Sequence, residues 1–134
     1  MKVSVFNSTM TSLAKILIVD DEVDICYFLS RNLTKRNFSV SYVHSLADAE
    51  TRIQQEDPEI LLLDNRLPDG YGINFITKIK NSNPNLKIIM ITAHDTPQDR
   101  ARAYNNGADF FLSKPFTITE VNNVIDVLLS RTEN

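Results

Sequence analysis

The chain has a single cysteine, Cys26, among its 134 residues. A lone thiol excludes an intramolecular disulfide and suits a reducing compartment, so a cytoplasmic location is expected. No apolar run comes near the roughly 20 residues needed to span a bilayer. Residues 1–12 hold one lysine among alternating small polar residues, without the continuous apolar stretch of a secretion signal. An excess of one charge is also missing. Fourteen Lys and Arg face 17 Asp and Glu, giving a net charge of −3, so no general affinity for nucleic acid or for an anionic membrane is expected. There is no internal repeat and no low-complexity segment. At 43% hydrophobic and 23% charged residues, the chain is long enough for one domain with a substantial core.

Short apolar strands alternate with amphipathic helices. The strands are expected at Lys15–Val19, Ser39–Val43, Glu59–Leu63, Lys87–Ile91 and Asp109–Leu112. The first helix runs from Val23 to Lys35, with Ile25, Cys26, Phe28, Leu29 and Leu33 as its apolar stripe. Ser45 caps a second helix over Leu46–Gln55, and Gly72 precedes a third that stops at Asn83-Pro84. Thr96-Pro97 opens a fourth helix, which Gly107 closes, and Thr117 caps a fifth. Five strands each followed by a helix imply an α/β fold, a (βα)₅ doubly wound parallel sheet of order 2-1-3-4-5.

The strand ends carry the chemistry. Ile60-Leu61-Leu62-Leu63 reads as a strand buried on both faces, and Asp64 appears where it must end. Ile16-Leu17-Ile18-Val19 likewise ends in Asp20, Asp21 and Glu22. The fourth strand ends in Thr92 and the fifth leads to Lys114. In a sheet of that order the four strands are adjacent, so these groups converge at the crevice where open α/β sheets bind ligands. Carboxylates meeting there repel one another unless a cation joins them. Magnesium takes oxygen ligands of this kind: Asp21 and Asp64 directly, Asp20 through a water, and the Arg66 backbone carbonyl. An aspartate can attack phosphorus, a lysine and a metal can neutralise the charge, and a threonine hydroxyl can donate to a phosphoryl oxygen. No histidine base is required.

With Asp20, Asp21, Asp64, Thr92 and the Lys114-Pro115 pair at the correct strand ends, the chain resembles the receiver domains of two-component response regulators, near the single-domain chemotaxis type in size. The resemblance covers residues 15–131 and leaves 1–14 as a flexible extension. It implies a phosphorylation-dependent signalling switch in which Asp64 accepts a phosphoryl group from a phosphohistidine on a sensor histidine kinase or phosphotransfer protein. Asp20, Asp21, Asp64 and the Arg66 carbonyl match the magnesium site, Thr92 the switch hydroxyl and Lys114 the phosphate-binding lysine. Lys114-Pro115 is expected to be cis. Phe111 falls at the aromatic switch position, and phosphorylation is expected to draw Thr92 and then Phe111 inward, reshaping the surface of the fourth helix, fifth strand and fifth helix for a protein partner or an output domain. Arg66 and His94 hold the two variable positions that influence the lifetime of the phosphoryl group. Asn65 and Phe110 depart from the commonest pattern.

Three other readings compete. A dehalogenase-like phosphatase also uses an aspartyl phosphate, but it needs Asp-x-Asp after its first strand, and here the acids are adjacent with Glu22 in the third place. A receiver-like binding module that never takes phosphate would be favoured by loss of an acid, Thr92 or Lys114, and none is lost. A receiver cut from a longer DNA-binding regulator would carry the same residues. The chain is expected to be a switch, not an enzyme beyond self-phosphorylation from a donor and autodephosphorylation. Cys26 is expected in the helix core, and His44 as an ordinary surface residue.

Overall fold

The computed structural model describes residues 14–133, with side chains for residues 14–130. The expected flexible extension lies outside the described residues except at Ala14. That residue is buried, and its carbonyl accepts the Ser39 N–H at 2.8 Å, so the packed domain includes it. The main sheet contains β1 (Lys15–Val19), β2 (Ser39–Val43), β3 (Ile60–Asp64), β4 (Lys87–Thr92) and β5 (Phe110–Ser113). All pairings are parallel and the order is β2-β1-β3-β4-β5, as the strand pattern requires. The helices are α1 (Val23–Thr34), α2 (Leu46–Glu56), α3 (Gly72–Ser82), α4 (Pro97–Asn106) and α5 (Ile118–Glu133). Among the described residues, no helix is long and apolar enough to cross a membrane.

The period-two alternation of the strands divides the core between the two faces of the sheet. Leu17, Val19, Leu61, Leu63, Ile88 and Met90 pack with α2, α3 and α4, whereas Ile16, Ile18, Ile60, Leu62, Ile89 and Ile91 pack with α1 and α5. Both faces of β3 are therefore covered, and all five of its residues are buried. In α1 the buried stripe is Cys26, Leu29 and Leu33; Phe28 lies at its rim, 40% exposed.

The caps follow the local sequence. Ser45 Oγ accepts the Asp48 N–H at 3.1 Å and Thr96 Oγ1 accepts the Asp99 N–H at 3.0 Å. Thr117 and Glu120 form a reciprocal capping box at the start of α5. Asp57 and Gly107 close α2 and α4 in the left-handed region, φ 51° and 118°. One element escapes the alternation: a two-stranded ribbon, Arg66–Leu67 with Gly70–Tyr71, in the loop after Asp64. It turns the chain so that Gly72 starts α3 against the end of β3. A Cβ on Gly72 would lie 2.3 Å from the Asp64 carbonyl oxygen. Gly72→Ala is therefore expected to displace the end of β3 and to destabilise the domain by about 2 kcal/mol or more, a loss measurable by urea denaturation.

Candidate functional site

Sheet register brings the charged strand ends together. Val19 pairs with Leu63, Asp64 with Ile91 and Thr92 with Ser113, so the carboxyl ends of β1, β3, β4 and β5 share one edge. The ladders extend past the strands to fix two of them. Asp20 N–H donates to the Val43 carbonyl at 3.1 Å and Lys114 N–H to the Thr92 carbonyl at 2.8 Å. The Lys114–Pro115 peptide is cis, as the resemblance implied.

Asp20, Asp21 and Asp64 each place a carboxylate oxygen within 4.8 Å of the others. Asp20 and Asp64 are buried and Asp21 is exposed. The set is oxygen only, which suits a hard divalent cation. The Cys26 sulfur beside it is turned toward the Asp20 carbonyl at 3.2 Å, and burial pushes that thiol up to about 11, so it stays a protonated core residue. The carboxylates are under electrostatic load. Burial first, and the Asp20 charge second, push Asp64 up to about 6, although Lys114 and the Asn65 N–H pull it down. Burial also raises Asp20, against the Glu22 N–H and Lys114. A second cation would relieve both.

Lys114 supplies the positive charge present. Its Nζ lies 2.7 Å from Glu22, 3.0 Å from Asp20 and 3.5 Å from Asp64. Burial pulls this ammonium down, but the three carboxylates outweigh burial and hold it above its ordinary value. Thr92 is buried, and its Oγ1 accepts the His94 N–H at 3.1 Å. Arg66 and His94 are exposed and flank, with Thr92 and Lys114, a cleft of about 190 Å³ over Asp64.

Phe111 is 2% exposed and Phe110 38%, so strand alternation separates the two aromatics. The Phe111 ring already points inward. The Arg100 guanidinium lies over it, 4.7 Å from the ring centroid. Asp95 clamps that guanidinium, accepting from Nε at 3.1 Å and Nη2 at 2.7 Å, and it also accepts from the Ser113 hydroxyl. The Arg100 and Ser113 bonds hold Asp95 below the usual carboxylate range.

Sequence reasoning missed several participants. Glu22 was visible only as the third acid after β1, with nothing to show that it would reach Lys114. Asp95 and Arg100 straddle the start of α4, and the bond that Asp95 accepts from Ser113 depends on tertiary geometry. Asn65 departs from the family pattern because its buried side chain accepts the Ile73 N–H at 3.0 Å, capping α3 from outside the helix. His44 is exposed but not idle: its Nδ1 sits 2.9 Å from the Asp20 carbonyl, bracing the loop that carries the acids.

Comparison with known proteins agrees with this geometry. A family model for the response regulator receiver domain matches residues 16–126. The probable transcriptional regulatory protein TcrX of Mycobacterium tuberculosis is 31% identical over 117 residues, covering 87% of this chain and 50% of that protein. The alkaline phosphatase synthesis transcriptional regulatory protein PhoP of Bacillus subtilis is 33% identical over 119 residues, covering 89% and 50%. The chain thus spans about half the length of the curated relatives it matches. Among solved structures, a CheY-like response regulator receiver domain protein from Methanospirillum hungatei JF-1 superimposes with a TM-score of 0.87 at 28% identity, covering 91% of this chain and 98% of that one. The beryllofluoride-activated NtrC4 receiver domain dimer gives 0.83 at 32% identity, covering 87% and 97%. Sheet order, acid cluster and family match agree: the chain belongs to the response regulator receiver domain family, the switch module of two-component signalling.

Proposed function

We propose that Asp64 is the phosphoacceptor of this switch. The observation that carries the reading is the convergence on Asp64 of two further carboxylates and the Lys114 ammonium, at the mouth of a cleft lined by Thr92. An Asp64 carboxylate oxygen attacks phosphorus, the P–N bond of a donor phosphohistidine breaks, and the imidazole nitrogen keeps the electron pair. Asp20, Asp21, Asp64 and the Arg66 carbonyl would hold Mg²⁺, which supplies charge neutralisation and in-line positioning when bound. Lys114 neutralises the transferring oxygens from the other side, and the Thr92 hydroxyl, which here accepts the His94 N–H, donates to one of them. Arg66 and His94 stand where water must pass to reach the acyl phosphate, and they set how fast autodephosphorylation ends the signal.

Phe111 reads this change out. It already lies inward under Arg100, the position expected once phosphorylation has drawn it in, so the outward rotamer expected before phosphorylation requires the Arg100 guanidinium, held by Asp95, to leave the ring face. The face formed by α4, β5 and α5 thereby has two states for a partner to distinguish. Sensor histidine kinases or phosphotransfer proteins lie upstream. A second reading of the downstream side has support in the names of TcrX and PhoP, both called transcriptional regulatory proteins: an output domain that binds DNA. The residues described contain no such domain, so nucleic-acid binding is not assigned to them.

Incubation with magnesium and acetyl phosphate is expected to add one phosphoryl group, labile to hydroxylamine. Asp64→Asn is expected to reduce this to background by intact-protein mass spectrometry. Modification that persists in Asp64→Asn, or that forms without a divalent cation, contradicts the reading.

A further inference from the structure

The Lys114 ammonium has three N–H donors and three carboxylate neighbours. A phosphoryl oxygen that binds Lys114 therefore competes with these carboxylates for the ammonium. The three are unequal. Asp20 and Asp64 are buried members of the acid cluster, with side chains 4% and 7% exposed, and they are fixed by the ends of β1 and β3. Glu22 is outside that cluster, is 58% exposed, and makes the shortest contact of the three at 2.7 Å. It occupies the N-cap position of α1, yet its side chain makes no capping bond to the helix. Its backbone N–H holds Asp20 Oδ1 at 2.8 Å, which anchors the residue while leaving its carboxylate able to swing into solvent.

We propose that Glu22 is a positioning residue that parks Lys114 in the unphosphorylated state and gives it up to the phosphoryl group. The inference rests on the phosphoacceptor reading of Asp64. Lys114 stands 3.5 Å from Asp64 because Glu22 draws it toward the rim of the cleft. Arrival of a phosphoryl group exchanges one anionic partner of the ammonium for another, and Glu22 moves out to water. Parking keeps Lys114 from closing fully on Asp64 and neutralising the nucleophile before a donor arrives. It also sets a tax on the phosphorylated state equal to the strength of a part-exposed ion pair.

Beryllofluoride with magnesium, a mimic of the phosphoryl group, tests the exchange on the intact chain. Glu22→Gln is expected to tighten beryllofluoride binding about two- to fivefold, the range of such a pair, with magnesium affinity not increased. Asp24→Asn removes a nearby acid that makes no contact with Lys114, and it should leave the affinity within about twofold. The Lys114 ¹⁵Nζ resonance of metal-loaded Glu22→Gln should already be displaced from its position in the parent protein before beryllofluoride is added. Unchanged or weaker beryllofluoride binding, an equal gain from Asp24→Asn, or an unmoved Lys114 resonance overturns the proposal. Failure of the parent protein to bind beryllofluoride in saturating magnesium overturns the phosphoacceptor reading itself, and the parking role with it.

Discussion

Lys114→Ala is expected to lose phosphoryl transfer by about 10²–10³-fold and, in metal-free buffer, to lose about 2–4 kcal/mol of stability. The kinetic loss follows from removing a preorganised charge aimed at the transferring oxygens. The stability loss follows from what stays behind. Asp20 and Asp64 are buried and would face each other without their shared counter-ion, and stripping one partner from a buried pair typically costs about 3–5 kcal/mol. The loss falls toward the low end of that range because Glu22, the third partner, is solvated. Magnesium should restore most of the stability by joining the same carboxylates, but it cannot restore the rate. Urea melts with and without magnesium, alongside acetyl phosphate kinetics, separate the two effects. Full-speed transfer in the metal-saturated variant would contradict the role given to Lys114.

Asp64→Asn should do the opposite to stability. In metal-free buffer near neutral pH the variant is expected to be more stable than the parent by about 1–3 kcal/mol, because a pKa shift of about two units corresponds to at most about 3 kcal/mol. The sign follows from proton binding. Asp64 in the folded chain titrates at about 6, above its ordinary 3.8, so the folded state holds its proton more tightly than the unfolded state. Between those two values the parent loses stability as pH rises, and above about 6 it bears the whole penalty. The advantage of Asp64→Asn should therefore vanish near pH 4 and reach a plateau above pH 6, as read from thermal melts in chelator across that range. Added magnesium should erase it by stabilising only the parent. A variant less stable than the parent at neutral pH, or a gap that does not change with pH, would contradict the electrostatic load described for the cluster.

Much of this site could be read in the sequence because parallel sheets announce their carboxyl ends. Ile60 to Leu63 is too apolar to be anything but covered on both faces, so the Asp64 that follows marks the edge. The same logic places Asp20, Thr92 and Lys114, and β-sheet register does the rest. The capping residues Ser45, Thr96 and Thr117 were legible for a local reason: each acts within three residues of itself. What escaped depends on contacts that have no period. The expected third strand was one residue out of step, because ladder pairing carries Asp64 itself into β3 opposite Ile91. The Arg66–Tyr71 ribbon is too short to show alternation. Asp95 and Arg100 gain meaning only when Ser113 and Phe111 arrive from another strand, and Glu22 only when Lys114 crosses 92 positions to meet it.

Which atom carries the phosphoryl group defines the chemistry of the strand-end cluster. An acyl phosphate is reduced by borohydride to the alcohol, so a phosphorylated aspartate becomes homoserine and can be located by peptide mass spectrometry. After treatment with magnesium and acetyl phosphate, the conversion should appear at position 64 alone and should disappear when the metal is chelated. Homoserine at Asp20, at Asp21 or at any other acid, or a stable phosphoryl group that borohydride leaves untouched, would show that the strand-end cluster serves a different chemistry.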